Sequence, residues 1–280
     1  MEWLQTGDVP LSMKLSVGVI GALATGFVGG MVGLALGRPR LLLVYWAAET
    51  PTFAAGTNIL ISSVSAMSGA WRHYRDGRVD LNVFTFMGIP AFIGAFGGGF
   101  LGGQVPSGYL MLFVALTTTW FGYNYLVGRR RNRPGNPSGQ SDAAAVSHPP
   151  SDGVPLAMRM KEMMLGFGIG VLGGIVGLVL GQLRLPAMTE VLKLDPKIAA
   201  GTNLAIATFT GIFGFAGHLV HREVDWLVLA LLAPAAMIGS YFGARYTGKL
   251  SGDTLKRWMG GVMVFMSIPL MWIAFRQIGS

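Results

Sequence analysis

Long apolar runs alternate with short polar segments along most of the chain. Eight of these runs are close to the roughly 20 residues that an α-helix needs to cross a bilayer. They occupy residues 15–36, 53–71, 81–103, 108–127, 163–181, 198–219, 226–244 and 258–275. Two other apolar stretches, Leu41 to Ala48 and Leu185 to Leu192, are too short to cross as straight helices. The pattern predicts an all-α polytopic membrane protein.

Two internal matches indicate that the chain is a duplication. Residues 29–37 (GGMVGLALG) match residues 173–181 (GGIVGLVLG) at seven of nine positions, and residues 50–59 (TPTFAAGTNI) match residues 195–204 (DPKIAAGTNL) at six of ten. In both halves a long Gly-rich run leads into a short apolar piece, and a run with Ala-Ala-Gly-Thr-Asn and two further runs follow. We expect each repeat to contain about four long transmembrane helices and one short helix that is broken or re-entrant.

The segment between the halves has a different composition. Residues 129–158 are rich in Pro, Ser, Gly and Arg, which is typical of a flexible linker. The chain therefore divides into a first membrane repeat at residues 1–128, this linker, and a second membrane repeat at residues 159–280.

The distribution of Lys and Arg predicts how the repeats are oriented, because cytoplasmic loops carry an excess of these residues. If each half crosses five times, 17 of the 21 Lys and Arg residues lie on the side of the linker and 4 on the other side. Four crossings per half would give 12 and 9. Five crossings are favoured, and an odd number makes the repeats inverted, with the linker in the cytoplasm and both termini outside. Re-entrant short segments are the main alternative.

Composition supports the membrane class and argues against several others. The mean hydropathy is +0.53 and 12% of residues are charged, against roughly 25% in an ordinary soluble domain. The formal charge of +8 does not indicate nucleic-acid binding, because the basic residues lie between apolar runs. The absence of cysteine excludes disulfides, thiolate metal sites and catalytic thiols. No GxSxG, HExxH or Walker sequence is present. Gly168, Gly170 and Gly173 match the dinucleotide-binding pattern GxGxxG, but they lie within an apolar run and not between a strand and a helix, so neither an enzyme nor a cofactor is predicted.

The breaks after the first long run of each half are candidate ligand sites. Gly37 and Pro39 separate the long run from the short piece in the first half, and Gly181 and Pro186 do so in the second. In inverted-repeat transporters, such discontinuous helices direct their N-terminal amides at an anion near the membrane centre.

Hydroxyl and amide donors recur in the run after each break, where we expect a helix N-terminus. The four residues are Thr57, Asn58, Thr202 and Asn203. Donors without acidic neighbours suit an oxyanion. Capping of the helix is the alternative role, and a cap would recur in both halves as well.

Two arginines occupy equivalent positions at the breaks. Arg40 and Arg184 align when the Gly-rich runs are superposed, and a guanidinium can bind two oxygens of an anion at once. Interfacial anchoring is the alternative, and the loop charges favour it more for Arg40 than for Arg184. Glu49 and Glu190 lie at or within the short pieces and are candidates for binding a coupling proton or cation.

The remaining polar residues are predicted to have structural roles. Asp80 and Asp225 each precede an apolar run and are predicted to cap helices. His73 and His218 are repeat equivalents, but these histidines have too few acidic or thiol neighbours to predict a metal site.

The repeated pattern resembles one membrane protein family. Two Gly-rich helices that lead into a short apolar piece, as in GGIVGLVLGQLRLPAM, followed by Ala-Ala-Gly-Thr-Asn, are similar to the TauE/SafE family of sulfite and organosulfonate exporters. The resemblance covers both halves and is closer in the second, which has Pro186 at the family position where the first half has Leu42. It implies a bacterial-type inner-membrane permease for small sulfur-containing anions, coupled to an ion gradient.

The expected function is therefore secondary transport of a small anion, in which the two repeats alternate access to a central site. The expected partners are the anion, the lipid bilayer and a coupling proton or cation, with no nucleic acid. A gated anion channel and a non-transporting membrane scaffold are the alternatives, because small-residue packing and basic cytoplasmic loops would look the same in either.

Overall fold

The computed structural model describes residues 10–47, 51–101, 107–128, 155–176, 180–220 and 224–278. All regular structure in these ranges is helical, and they contain no strand. The helices are α1 (Leu11–Val32), α2 (Gly37–Ala47), α3 (Pro51–Arg75), α4 (Leu81–Val83), α5 (Ile89–Leu101), α6 (Ser107–Val127), α7 (Leu156–Val176), α8 (Gly181–Pro186), α9 (Pro196–Val220), α10 (Trp226–Thr247) and α11 (Gly252–Ile278). A π-helical turn at Phe84–Gly88 joins α4 to α5, and another at Ala187–Val191 extends α8.

The long apolar runs coincide with long helices. Five segments of the described chain have the length and apolar character of a membrane span: Leu11–Val32, Leu81–Gly98, Gly108–Val127, Trp226–Thr247 and Gly252–Arg276. Large apolar side chains remain exposed along them, for example Ile20, Phe96 and Phe265, as expected where lipid is the solvent. The α-helical, multi-pass membrane class is confirmed.

The two short apolar pieces form short helices. The first is α2, with 11 residues, and the second is α8 with its π-helical turn, which together end at Val191. An 11-residue helix is about 17 Å long, roughly half of the hydrocarbon thickness of a bilayer. Neither piece crosses a membrane alone as a straight helix.

Helices from both halves of the sequence combine in two compact units. Unit 1 comprises Met1–Val79 and Ala200–Lys249, and unit 2 comprises Asp80–Ala199 and Leu250–Ser280. Unit 1 therefore contains α1, α2, α3, α10 and most of α9, whereas unit 2 contains α4 to α8 and α11. Most of the predicted linker lies outside the described residues, and α7 begins at Leu156.

Glycines bring α1 and α10 into close contact in unit 1. Gly26 and Gly30 of α1, and Gly239 and Gly243 of α10, lie so near the backbone of the opposite helix that an added Cβ atom would overlap it. Each pair has the GxxxG spacing that lets two helix backbones approach within a membrane.

Unit 2 contains the equivalent helix pair. Gly94 and Gly98 of α5, and Gly166 and Gly170 of α7, are also too close to the facing backbone to accept a Cβ atom. Since α7 is the second-half counterpart of α1 and α10 is that of α5, each unit pairs the first helix of one half with a later helix of the other.

Two predicted helix caps are confirmed. The Asp80 carboxylate accepts hydrogen bonds from the backbone N–H groups of Asn82 and Val83 at 2.9 and 3.0 Å, and the Asp225 carboxylate accepts one from Val228 at 3.0 Å. These contacts satisfy the first free N–H groups of α4 and α10.

Candidate anion-binding site

Helix α1 ends at a glycine that no other residue can easily replace. Gly33 has φ 77° and ψ 26°, and the N–H groups of Gly33 and Leu34 both donate to the Gly29 carbonyl oxygen, at 2.9 and 3.0 Å. The bond from Leu34 is the 6→1 contact of a Schellman motif, and the bond from Gly33 is the 5→1 contact of the αL motif, both typical of a helix C-terminus. A Cβ atom at Gly33 would also overlap Ala200 of α9. The break between α1 and α2 is therefore fixed by local geometry and by packing.

Side chains from three other segments cap the carbonyl groups at the end of α1. The hydrogen bonds run from His73 Nε2 to the Gly30 oxygen at 3.0 Å, from Thr247 Oγ1 to the Met31 oxygen at 2.8 Å, and from Asn203 Nδ2 to the Gly33 oxygen at 2.8 Å. Free carbonyls at a helix C-terminus carry partial negative charge that repels anions. These donors reduce that repulsion at the break.

A second polar cluster holds the start of α2. Asn58 Nδ2 donates to the Gly37 carbonyl oxygen at 2.8 Å, and Arg40 Nε donates to Asn58 Oδ1 at 3.1 Å. Arg40 Nη2 also donates to Ser62 Oγ at 2.5 Å, and that hydroxyl donates to the Asn58 carbonyl oxygen at 2.7 Å. Asn58 thus orients both the first turn of α2 and the guanidinium of Arg40.

The two asparagines of the repeated motif hold opposite sides of one break. Asn203 binds the carbonyl of Gly33, and Asn58 binds the carbonyl of Gly37. The expectation that these motifs open their helices is wrong, because α3 begins at Pro51 and α9 at Pro196. Each asparagine is the eighth residue of its helix. Proline is favoured in the first turn, so the helices start one to two turns before the motif, and neither asparagine is an N-cap.

A polar pocket lies beside the break, entirely within unit 1. It encloses about 220 Å³ of empty space, including the part that is open to the outside. Its polar side chains are Thr25, Arg40, Ser62, Ser65 and Ser240, and Gly29, Gly30 and the residues 34–36 complete the wall near the break. None of the described residues that line it is a carboxylate. Only about 10 Å³ of this space can be occupied by a water-sized molecule, which is close to the minimum for one water, so an anion would bind here only after the pocket widens.

Arg40 gives the pocket its positive charge. The residue is 2% exposed, and no carboxylate in the described part of the chain pairs with its guanidinium. Two of its five N–H groups have hydrogen bonds, to Asn58 and Ser62. The α2 N-terminus lies at the same wall, and its amides also favour an anion. Burial to this degree does not fit an interfacial anchor, whose charged head reaches water.

The lining hydroxyls are partly committed in this conformation. Ser65 Oγ donates to the Ala236 carbonyl oxygen at 3.1 Å, and Thr25 Oγ1 donates to that of Gly21 at 2.7 Å. A hydroxyl can rotate to donate to a different acceptor. The pocket therefore offers one fixed cation and several donors that can turn toward a bound anion.

The remaining predicted residues lie elsewhere in the two units. Thr57 is buried, and its Oγ1 accepts a hydrogen bond from the Asp225 N–H at 2.8 Å; Thr202 is also buried in unit 1. Arg184 is 3% exposed in α8 of unit 2. Their roles in anion binding stay predictions.

The predicted breakers and carboxylates have distinct surroundings. Pro39 lies in the first turn of α2, where its missing N–H has no helical partner to lose. In the second half, Gly181 starts α8, and Pro186 lies inside that helix, directly before the π-helical turn. Glu190 is partly exposed and pairs with Lys256 at 3.1 Å. Glu49 lies outside the described residues.

Sequence reasoning missed the hydroxyls of the pocket and one buried carboxylate. Ser62 and Ser65 follow Asn58 at helical spacings of four and seven, which puts them on one face of α3. That spacing was the available signal. Glu162 is 1% exposed in α7, although it stands in a basic segment that resembles a loop edge. Burial of a carboxylate in an apolar environment has no signature in the local sequence.

The hydrogen bond from Asn203 to the Gly33 carbonyl oxygen can be tested by mutation. Replacing Asn203 with alanine leaves the Gly33 carbonyl without its buried donor, which costs about 1–3 kcal/mol. We expect a lower midpoint of thermal unfolding for N203A in detergent. N124A is the matched control, because Asn124 is exposed on α6. Equal midpoints for the two variants would show that this hydrogen bond does not stabilise the break.

Comparison with known proteins places the sequence among membrane transporters. The family model described as "Sulfite exporter TauE/SafE" matches residues 17–270. The chain is 26% identical to the "Probable membrane transporter protein YunE" of Bacillus subtilis (strain 168), over 93% of this chain and 98% of that protein. It is 24% identical to the "Probable membrane transporter protein YdhB" of the same organism, over 87% of this chain and 90% of that protein. No solved structure matches at a significant level.

Proposed function

This chain belongs to the TauE/SafE family of sulfite exporters and is a membrane transporter, and from this premise we propose that it moves a small sulfur-containing oxyanion, sulfite or a short organosulfonate, by secondary transport. The anion crosses without chemical change, so no enzymatic step is part of the proposal. The proposed location is the inner membrane, with the linker in the cytoplasm and both termini outside.

The observation that supports this proposal best is the pocket around Arg40. A buried arginine with neutral hydrogen-bond partners has an unbalanced positive charge, which is costly unless an anion joins it. The described residues of the pocket wall supply hydroxyl donors and no carboxylate. Sulfite and sulfonates present three oxygen acceptors in a compact group, which a guanidinium can bind through two hydrogen bonds.

The repeat suggests how transport is organised. Arg184 is the sequence equivalent of Arg40, and both are buried near the start of a short helix. We assign the anion to Arg40 and the α2 amides in unit 1, with Asn58 orienting that guanidinium. We propose Arg184 as the second arginine, with Thr57, Thr202 and Asn203 positioning the breaks. Alternating access of two inverted repeats is the proposed mechanism. Glu49 and Glu190 remain candidates for ion coupling.

Counterflow in proteoliposomes tests the proposal against a channel or a scaffold. Vesicles are loaded with unlabelled anion, and entry of labelled sulfite is measured with a short organosulfonate, sulfate and acetate as competitors. A carrier gives saturable exchange that unlabelled substrate accelerates from the opposite side. We expect selectivity for sulfite or the sulfonate. Flux that does not saturate would indicate a channel, and no flux above protein-free vesicles for any of the anions would refute the proposal.

A further inference from the structure

The proposed anion site involves only one of the two ring nitrogens of a buried histidine. His73, near the end of α3, is 0% exposed, and its Nε2 lies 3.0 Å from the Gly30 carbonyl oxygen. Because a carbonyl only accepts, Nε2 must carry the proton. The other ring nitrogen, Nδ1, is buried, and no group in the described segments forms a hydrogen bond with it. In this conformation the ring is therefore the neutral tautomer with a single N–H.

The charged groups around the ring oppose a second proton. Arg78 lies next to His73, and its backbone N–H donates to the His73 carbonyl oxygen at 2.8 Å. Asp76 pairs with both Arg78 and Arg72, so it does not serve the imidazole alone. Helix α10 contributes Arg245, which is exposed, while Gly30 of α1 and Gly201 of α9 bring no charge.

The atoms around the imidazole ring of His73 are also closely packed. A Cβ atom at Gly201 would lie 2.8 Å from the Cβ of His73 and would overlap the Arg78 carbonyl oxygen. A proton on Nδ1 would create a donor with no acceptor in a closed space, beside an arginine. Both effects destabilise this conformation, since an unsatisfied buried charged group is costly.

His73 acts on the segment that forms the anion pocket. Gly30, whose carbonyl oxygen accepts the hydrogen bond from the imidazole Nε2–H, also lines the pocket with Arg40. Loss of the hydrogen bond from Nε2 would free a carbonyl at the end of α1, directly at the break. Protonation and anion binding thus act on the same turn of one helix.

We propose that His73 is the coupling-proton site of this transporter. A proton from the aqueous phase adds to Nδ1, and the resulting imidazolium moves away from Arg78. The hydrogen bond from Nε2 to the Gly30 carbonyl oxygen is then lost, which releases the end of α1. When the proton returns to water, this hydrogen bond forms again. Only an N–H bond forms and breaks. The inference rests on the proposed anion transport and names its coupling ion.

The variant H73Q separates the two roles of the ring. Glutamine can place an amide N–H close to the position of Nε2 and donate to Gly30, but it does not titrate. Because His73 also holds the wall of the anion pocket, sulfite counterflow at equal pH on both sides is measured in the same vesicles, and accumulation is expressed relative to it. Accumulation of sulfite driven by an imposed pH gradient is expected to fall to the level of protein-free vesicles. H148Q, in the predicted linker, is the matched control and should retain accumulation.

The outcomes distinguish this inference from the proposed function. Absence of counterflow in the wild type refutes anion transport itself. Counterflow in the wild type, together with gradient-driven accumulation that survives in H73Q, refutes the proton site and leaves the transporter intact.

A second measurement covers the case in which H73Q does not fold. The variant H148Q/H218Q/H221Q leaves His73 as the one histidine of the sequence, and nitrogen-15 NMR of this histidine-labelled variant in nanodiscs reports the tautomer of that ring without any anion. The ring is expected to be the neutral Nε2–H tautomer near neutral pH and to take up a proton reversibly at lower pH. A ring that is charged or has its proton on Nδ1 at neutral pH, or one that takes up no proton, would show that the inference is wrong.

Discussion

Replacing Arg40 with glutamine is expected to abolish sulfite binding and transport while the protein still folds. The guanidinium is the single cation among the described residues that line the pocket. Truncating one partner of a buried charged pair costs about 2–5 kcal/mol, or roughly 30-fold to several thousand-fold in affinity. Folding should suffer little, because R40Q removes a buried charge that has no carboxylate partner in the described chain and leaves an amide that can bond to Asn58.

Thermal unfolding with and without sulfite separates binding from folding. A ligand at 100 times its Kd stabilises the folded protein by about 2.7 kcal/mol. We expect sulfite to raise the unfolding midpoint of the wild type and to leave that of R40Q unchanged. R40K should bind about tenfold or more weakly than wild type, because an ammonium keeps the charge but loses the planar pair of donors.

R75Q is the control for the lost charge. Arg75 is exposed at the end of α3 in the same unit, so its loss changes the net charge equally and should leave the sulfite-induced shift intact. A shift in R40Q as large as that in the wild type would show that Arg40 does not bind the anion. The same loss in R75Q would point to a general effect of charge.

The positions of the helices could be predicted because their cause is local. A run of about 20 apolar residues has few alternatives to a helix in a bilayer, and the long helices follow these runs. Asp80 and Asp225 could be recognised as caps for the same reason, since a cap and its N–H partners are separated by only two or three residues.

The candidate site was only partly predictable because its geometry depends on long-range packing. The motif drew attention to Asn58 and Asn203, but the helix carbonyls that they bind lie 21 and 170 residues away. The burial of Arg40 could not be predicted either, because the excess of basic residues in cytoplasmic loops gives an arginine at this position an equally good explanation at the membrane surface.

The role of His73 was not visible in the sequence for a related reason. Its partner, the Gly30 carbonyl oxygen, is 43 residues away and belongs to a glycine that reads only as a small residue in a packing face. The GxxxG spacing in these helices permits close helix contacts. It did not reveal that each contact joins helices from different halves of the chain, because a GxxxG pattern does not name its partner.

Substitutions at three glycines of α7 are expected to have a large effect on the thermal stability of the protein. Alanine at Gly170 would overlap the Ala91 backbone in α5, whereas alanine at Gly168 meets nothing within 4 Å. Overpacking in a tight interface costs about 1–3 kcal/mol, and Gly to Ala in an open helical position gains up to about 1 kcal/mol. We therefore expect G170A to unfold at a markedly lower temperature than G168A, with a difference of about 2–4 kcal/mol.

The comparison is controlled within a single helix. G166A should behave like G170A, because its Cβ atom would overlap the Met87 backbone, so the effect should depend on which face of α7 carries the methyl group. Purified variants are compared by thermal unfolding in detergent and by the amount that remains monodisperse. Equal losses in all three variants would indicate that glycine is needed for backbone flexibility in α7. A loss confined to G166A and G170A would establish that the first helix of the second half is held by backbone contact against α5 and the π-helical turn that precedes it.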